Sequence, residues 1–238
     1  KKFAAYYYNR AKEFGFEPAI TYKHDAFAFG AAVVEIERGK FSGIQPFFWQ
    51  TDTSVAKNSW CYSKNPVYKK TKTLVCDLVD IVSKNGALLL NFGPRPDGTI
   101  PSSDREILEG IGNWLATNGE SIYGTSVWRK SAEGPTQTKE GQFTDWHEED
   151  YTCQDIRFVK KGAHIYATVL KSPDDGRVRI CSLNKQDAWH LPVFNGIIKD
   201  VEILGGKIFE WAQDSDGLNI FFEPIKTDLP IVFKVLVD

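Results

Sequence analysis

The hydrophobic and polar positions of this chain follow different patterns in its two halves. In the first half, apolar residues recur at helical spacing, which predicts helices over residues 3–14, 67–84 and 103–118. The second helix has the clearest apolar stripe, formed by Leu74, Val75, Leu78 and Val82. Gly15 and Gly86 follow the first two helices where a glycine commonly ends a helix, and Ser103 opens the third as a capping box.

Short strands are predicted between these helices, over residues 19–22, 32–36 and 87–92. The last of them is largely an apolar run, which suits a strand covered on both faces. Residues 41–68 are interpreted as a long aromatic-rich connection, and connections of that length are usually functional. The alternation of strands and helices predicts a parallel α/β unit.

After about Trp128 the pattern changes to short segments with period-two alternation. Strands are predicted over residues 156–158, 164–169, 177–180, 200–204, 218–222 and 231–237. Several short strands with turn signals and no helical pattern predict an all-β sandwich. The chain is therefore divided into a first domain over residues 1–128 and a second domain over residues 129–238.

Composition and charge narrow the classes of function. The 238 residues carry a formal net charge of −2, which gives no electrostatic case for a nucleic-acid partner. No apolar run approaches the roughly 18 residues that a membrane span needs, so a soluble protein is expected. Metal-ligand spacing, a phosphate-binding loop and a dinucleotide-binding motif do not occur, so no metal and no cofactor are predicted. The oligomeric state is left open.

The cysteines and the first residues carry less information. Cys61, Cys76, Cys153 and Cys181 lack zinc-site spacing and are expected to be buried free thiols, with a disulfide left open. Met is absent from the chain, which opens with Lys1, Lys2 and Phe3 in the pattern of a helix interior. We therefore expect the N-terminus to be a cut edge within a longer protein.

Four blocks of the first half resemble α-L-fucosidases of glycoside hydrolase family 29. In order along the chain they are residues 3–9, 80–94, 97–101 and 112–125. The resemblance implies the C-terminal half of a (β/α)8-like, TIM-type catalytic barrel, followed by the β-sandwich. It also implies hydrolysis of terminal α-L-fucosyl residues from oligosaccharides or glycoconjugates with retention of configuration. A secreted, periplasmic or lysosomal location is implied by the family's usual substrates.

The resemblance also suggests where the reaction chemistry lies. Retaining glycosidases use two carboxyl groups about 5–5.5 Å apart, one as nucleophile and one as general acid/base. The family's nucleophile Asp lies on the strand before the first block, and this sequence does not include that strand. Glu35 matches the acid/base best, because it follows the apolar strand residues Val33 and Val34, and barrel enzymes place catalytic groups at strand C-terminal ends. Glu37, two residues on and on the same side of the strand, is the alternative.

Three further residues are candidates for substrate binding. Trp60 matches a family position where an aromatic ring packs against the apolar face of fucose, although simple loop packing is the competing interpretation. Trp49 is expected to line a more distal part of the cleft. Lys23 is the nearest cation to the position where some members carry a sugar-binding Arg, but Lys cannot reproduce a bidentate guanidinium contact.

Two other functions remain compatible with the sequence. One is a glycan-binding relative of the same fold that has lost catalysis, and the other is a barrel glycosidase with a different sugar specificity. The sequence does not determine the linkage or the aglycone.

Overall fold

Four parallel strands and three helices make up the first half of the chain. The computed structural model describes residues 1–185 and 194–238. The helices are α1 (Lys2–Phe14), α2 (Thr71–Ser83) and α3 (Ser102–Asn118). The strands are β1 (Thr21–Tyr22), β2 (Val33–Glu37), β3 (Trp49–Ser54) and β4 (Gly86–Asn91), and they form one sheet in that order. The prediction of a parallel α/β unit is confirmed, but β3 lies within the segment that the sequence analysis interpreted as a connection.

The two faces of this sheet differ in character. One face packs against the helices, where Ile36 and Trp49 form a buried cluster with Ile81 of α2. The opposite face carries polar side chains from β2 and β3. On β4, Leu89 is 54% exposed. Among the described residues no segment covers this side of β4, so cover on both faces stays a prediction for the longer protein.

The helix ends correct two details of the sequence analysis. Gly15 ends α1 with φ of 73°, as predicted. After α2, however, Asn85 adopts the left-handed conformation with φ of 72°, and Gly86 begins β4. Gly86 is needed for another reason, since a Cβ there would lie 2.5 Å from Cε2 of the Trp49 indole. The capping box is also wrong, because α3 begins one residue earlier, at Ser102, with no side-chain capping bond.

Two antiparallel sheets form the second half. The strands are β5 (Ser126–Glu133), β6 (Ile156–Lys161), β7 (His164–Val169), β8 (Arg177–Ile180), β9 (Ile198–Ile203), β10 (Ile208–Gln213), β11 (Leu218–Phe222) and β12 (Ile231–Val237). Their orders are β5-β6-β7-β12-β9 and β10-β11-β8. Residues from both sheets share one core, among them Phe158, Phe222 and Phe233, which confirms the predicted all-β architecture. The predicted boundary at residue 128 falls within β5, and the division into two domains stays a prediction.

The two halves share a buried contact. Val75 and Val79 of α2 and Trp114 of α3 pack in one cluster with Val159 of β6 and Val232 of β12. A buried ion pair crosses the same contact, with Arg157 Nε 2.5 Å from Asp80 Oδ1. Packing and charge therefore both join the parallel sheet with its helices to the second half.

The cysteines agree with the sequence analysis only in part. All four are free, but only Cys76 is buried, whereas Cys61, Cys153 and Cys181 are exposed. Cys181 lies in a short 3₁₀ turn directly after β8. None of the described helices has the length and apolar character needed to cross a membrane.

Candidate active site

Strands β2 and β3 present four polar side chains on one face of the parallel sheet. Alternate residues of a strand face the same side, so Glu35 and Glu37 project together from β2. The strand register pairs Glu35 with Gln50 and Glu37 with Asp52. Glu35 is the middle residue of β2 and Glu37 is its last. The strand-end position expected for Glu35 is thus occupied by Glu37, because β2 continues two residues beyond Glu35.

A lysine joins two of these carboxylates. Lys23 directly follows β1, and its Nζ lies 3.1 Å from Glu37 Oε2 and 2.9 Å from Asp52 Oδ2. Burial acts to lower the pKa of Lys23, but its contacts with Asp52 and Glu37 outweigh burial and raise the pKa above the usual value. Lys23 is therefore a cation shared by two carboxylates from neighbouring strands.

Asp52 was not identified by the sequence analysis, because residues 41–68 were interpreted as a connection. A usable signal exists in the segment. Gln50, Asp52 and Ser54 alternate with Trp49, Thr51 and Thr53, which is the period-two pattern of a strand. All three members of the second set are buried. Asp52 Oδ1 is itself buried and has no hydrogen-bond partner among the described residues.

Glu35 occupies a more enclosed position than Glu37. It is only 8% exposed, and Gln50 Nε2 donates to its Oε1 over 3.3 Å. The side chain of Glu37, by contrast, is 27% exposed. Of the two glutamates, Glu37 is the one that is open at the end of the strand.

Trp60 lies at the same edge of the sheet as Glu37. The guanidinium of Arg38, the residue after Glu37, is 4.0 Å from the centre of the Trp60 ring. Asn91, the last residue of β4, donates from Nδ2 to the Trp60 carbonyl oxygen over 2.6 Å. The ring is thus fixed near the ends of β2 and β4, and its contact with a sugar stays a prediction.

Trp49 lies elsewhere, which corrects the expectation that it lines the cleft. Its side chain is fully buried, and its Nε1 donates to the Lys84 carbonyl oxygen over 3.0 Å. Trp49 is the first residue of β3 and faces α2, so it lies at the opposite end of the sheet from Glu37. The Trp49 side chain therefore packs in the hydrophobic core between the sheet and α2.

A segment of the second half docks on the end of β2. The backbone N–H of Phe143 donates to the Glu37 carbonyl oxygen over 3.0 Å, and that of Thr144 donates to the Arg38 carbonyl oxygen over 2.8 Å. The Asp145 carboxylate accepts hydrogen bonds from Arg38, Lys69 and Thr53 at 3.0, 2.6 and 2.6 Å. Burial acts to raise the pKa of Asp145, but the bonds from Lys69 and Thr53 outweigh it and keep the pKa below the usual value. The sequence analysis missed this contact, since its partners lie about a hundred residues apart.

The carboxylates do not form an evident metal site. Among residues 1–185 and 194–238, no group of three or more His, Cys, Asp or Glu side chains is placed to hold a metal ion. That the protein needs no cofactor stays a prediction.

Comparison with known proteins agrees with the geometry. The family model described as alpha-L-fucosidase matches residues 2–120, and the model of the alpha-L-fucosidase C-terminal domain matches residues 148–234. Tissue alpha-L-fucosidase of Mus musculus is 30% identical over 190 residues, which are 78% of this chain and 36% of that protein. Alpha-L-fucosidase of Dictyostelium discoideum is 36% identical over 115 residues, or 48% of this chain and 21% of that protein.

Solved structures extend the similarity to nearly the whole chain. The crystal structure of Thermotoga maritima alpha-fucosidase superposes with a TM-score of 0.70 and 26% identity, covering 98% of this chain and 47% of that one. An alpha-L-fucosidase from Bacteroides thetaiotaomicron, only 16% identical, shares the fold with a TM-score of 0.70. The chain thus spans less than half the length of the Thermotoga protein and about a third of the mouse one. With family models matching along both of its halves, this chain belongs to the α-L-fucosidase family.

Proposed function

We propose that the protein containing this chain hydrolyses terminal α-L-fucosyl residues from glycans with retention of configuration, and that Glu37 is its general acid/base. One observation carries the proposal: Lys23, Glu37 and Asp52 meet at the C-terminal edge of a parallel sheet in a member of the α-L-fucosidase family. Barrel enzymes carry their catalytic groups at this edge. The similar Thermotoga maritima protein has been solved in complex with fucose and with a mechanism-based inhibitor, which supports a fucoside as substrate.

The parallel sheet is half of the proposed (β/α)8-like barrel. Its polar face carries Glu35, Glu37 and Asp52 together with the exposed Leu89, a mixture that suits the inside of a barrel near its site. In the proposal, further strands lie over this face and bring the nucleophile Asp. The second carboxylate would then stand about 5–5.5 Å from that of Glu37, as retention requires.

The reaction proceeds in two displacements. The nucleophile Asp attacks the anomeric carbon, the bond to the leaving oxygen breaks, and Glu37 donates its proton to that oxygen. Glu37 then takes a proton from a water molecule, whose oxygen attacks the anomeric carbon and releases the Asp. Lys23 contacts Oε2 of Glu37, which leaves Oε1 free to carry the proton. Asp52 holds Lys23 in place, and Trp60 packs against the C–H face and methyl group of fucose.

Glu35, the first choice of the sequence analysis, takes a supporting role in this scheme. It lies two residues before Glu37 on the same face of β2, is 8% exposed, and is hydrogen-bonded to Gln50. A general acid must reach the leaving oxygen directly or through one water molecule. The more open position of Glu37 at the strand end suits that task better.

The two glutamates form a matched pair for the experiment. Glu37→Ala and Glu35→Ala are made in the full-length protein and assayed on an aryl α-L-fucoside with an activated leaving group and on a natural fucosyl disaccharide. For Glu37→Ala, the disaccharide rate should fall by about 10²–10⁴-fold, the usual contribution of a general acid. The first step on the aryl substrate should fall far less, since its leaving group needs little protonation, and added azide should restore turnover.

Three outcomes would count against parts of the proposal. If Glu35→Ala shows this pattern and Glu37→Ala does not, then Glu35 is the acid/base. If both variants behave like wild type, neither glutamate has that role. If the wild-type protein turns over neither fucoside, the proposed activity itself is wrong.

The substrates suggest where the protein works. Fucosylated oligosaccharides and glycoconjugates are its proposed partners, so we place it in a secreted, periplasmic or lysosomal setting. Activity confined to the cytosolic fraction of its cells would contradict this location.

A further inference from the structure

Exposed aromatic side chains cluster on a segment that is hydrogen-bonded to the backbone of Glu37. The segment between β5 and β6 carries Phe143, which is 53% exposed, and Trp146, which is 57% exposed. His147 stacks on Trp146 with ring centres 3.8 Å apart. Single exposed apolar residues are ordinary, but a patch of adjacent exposed aromatic rings is typical of a surface that binds a ligand or another protein. We call Phe143, Trp146 and His147 the aromatic shelf.

The shelf is tied to the strand that carries Glu37. The Phe143 N–H donates to the Glu37 carbonyl oxygen, and Lys40 and Gly141 form an isolated bridge between the two segments. Within the shelf, Trp146 Nε1 donates to the Phe143 carbonyl oxygen over 2.7 Å. The Asp145 carboxylate, buried among Arg38 and Lys69, anchors the segment from beneath. The segment that carries the rings is therefore fixed to the end of β2, which lowers the entropic cost of binding a ligand there.

The backbone at Phe143 supports a functional interpretation. Its φ of 55° is left-handed, which is unusual for a bulky residue. Such conformations are energetically unfavourable and persist where the surroundings impose them, often at ligand sites. Burial of Phe143 does not compensate for the strain, because the residue is 53% exposed.

The role of the general acid indicates which part of the substrate would lie on the aromatic shelf. A general acid donates to the glycosidic oxygen, so the leaving group must lie on the same side of the site as that acid. The shelf begins at the backbone of Glu37 and extends into the second half of the chain. Aromatic rings offer broad apolar faces with polar edges, which suit the C–H faces of a pyranose ring and its hydroxyl rim.

We propose that the aromatic shelf is the subsite for the leaving sugar, the pyranose to which fucose is attached. This inference rests on the proposed function, because it takes Glu37 as the acid that faces the leaving group. Phe143 and Trp146 then determine preference among leaving groups, and the second half of the chain contributes directly to substrate selection.

The test compares two leaving groups in the full-length protein. α-L-Fucosyl fluoride has no leaving sugar, whereas a fucosyl disaccharide has one. For Phe143→Ala, Trp146→Ala and the double variant, the ratio of kcat/KM on the disaccharide to kcat/KM on the fluoride should fall about tenfold, as expected for loss of a ring-face contact. The free leaving sugar should also inhibit these variants more weakly than wild type.

Phe209 provides the matched control. It is 63% exposed on β10 and lies 5.8 Å from Lys207 Nζ, as Trp146 lies 5.8 Å from Lys139 Nζ. Phe209→Ala should leave the ratio at the wild-type value. An unchanged ratio in the shelf variants would overturn the proposal, and so would an equal loss on both substrates, since that would mean the segment only supports Glu37. A wild-type protein inactive on fucosyl fluoride would instead refute the proposed function.

Discussion

Asp145 shows how one buried residue can connect distant parts of the chain. Its carboxylate lies between Arg38, which stacks on Trp60, and Lys69, which is 1% exposed. Burial lowers the pKa of Lys69, and its hydrogen bond to Asp145 offsets that effect only in part. Two buried cations thus depend on one carboxylate for their counter-charge. At the residue scale, the geometry around Glu37 and Trp60 rests on this arrangement.

Asp145→Asn should therefore destabilise the protein strongly. Removing one partner of a buried ion pair typically costs about 3–5 kcal/mol, because the other charge stays buried without compensation. Glu148→Gln is the control, since Glu148 pairs with Lys57 at a more exposed position, where a pair contributes about 0–1 kcal/mol. Urea unfolding of the two variants measures the difference. Similar midpoints for both would show that Asp145 does not carry this role.

At the element scale, the strands near the site and the helices that support them follow different rules. β3 buries Trp49, Thr51 and Thr53 on one side and presents Gln50 and Asp52 on the other. A strand that lines a polar site therefore lacks the apolar signature of a core strand. Of the helices that support the sheet, α3 buries only one of its faces. The glycines of α3 show which of its positions lie close to α2. In α3, Gly110 faces Thr71 of α2, whereas Gly112 faces open space.

These two glycines predict opposite responses to alanine. Gly112→Ala should raise the free energy of unfolding by about 0.8–1 kcal/mol, because alanine is favoured over glycine in a helix interior and nothing lies within 4 Å of the new Cβ. In Gly110→Ala, the new Cβ would lie 2.9 Å from Thr71 Cγ2, so the Thr71 side chain or the two helices must shift and the gain should be lost. Thermal unfolding checks both variants. A stabilised Gly110→Ala would mean that Thr71 moves aside easily.

At the scale of the whole molecule, Asp80 links the two halves electrostatically. It is fully buried in α2, with Lys84 Nζ 2.6 Å from Oδ2 and Arg157 of β6 2.5 Å from Oδ1. Burial acts to raise the pKa of Asp80. The positive charges of Arg157, Lys84 and Lys40 outweigh burial and hold the pKa well below its usual range. The ion pair of Asp80 and Arg157 lies beside the apolar contact of Val75 and Val79 with the second half of the chain.

The depressed pKa of Asp80 predicts how stability depends on pH. The contribution of Asp80 is fully present above the unfolded pKa of about 3.9. Below that pH, Asp80 becomes protonated in the unfolded chain but stays ionised in the native protein. Its contribution to the free energy of unfolding therefore declines by about 1.4 kcal/mol per pH unit. Asp80→Asn should be destabilised at neutral pH by about 3–5 kcal/mol and should lack this part of the acid dependence.

Urea unfolding between pH 7 and pH 3 gives the measurement. The difference in stability between wild type and Asp80→Asn should shrink as the pH falls through the acid range. Asp174→Asn, at an exposed position, serves as control and should match wild type throughout. A difference that stays constant over the whole range would contradict the coupling of the Asp80 charge to folding.

Contiguous patterns determined much of this protein from its sequence alone. The apolar stripe of α2 and the alternation of β8 and β11 each reflect burial that repeats within one segment. The glycine after α1 reflects the left-handed conformation that ends a helix. Such local periodicity predicts elements, and the ordered blocks in residues 1–128 point to the family. The glutamates of β2 were likewise visible, because the strand pattern places both on one side.

The tertiary structure decided how the candidate site is assembled. It showed that β2 ends at Glu37, that Asp52 shares Lys23 with it, and that Trp49 belongs to the core. It also brought Phe143 and its neighbours to the end of β2 from about a hundred residues away. These relations depend on strand register and on packing between distant segments. Neither leaves a periodic trace in the sequence, because each contact is made once, between residues whose separation no local pattern specifies.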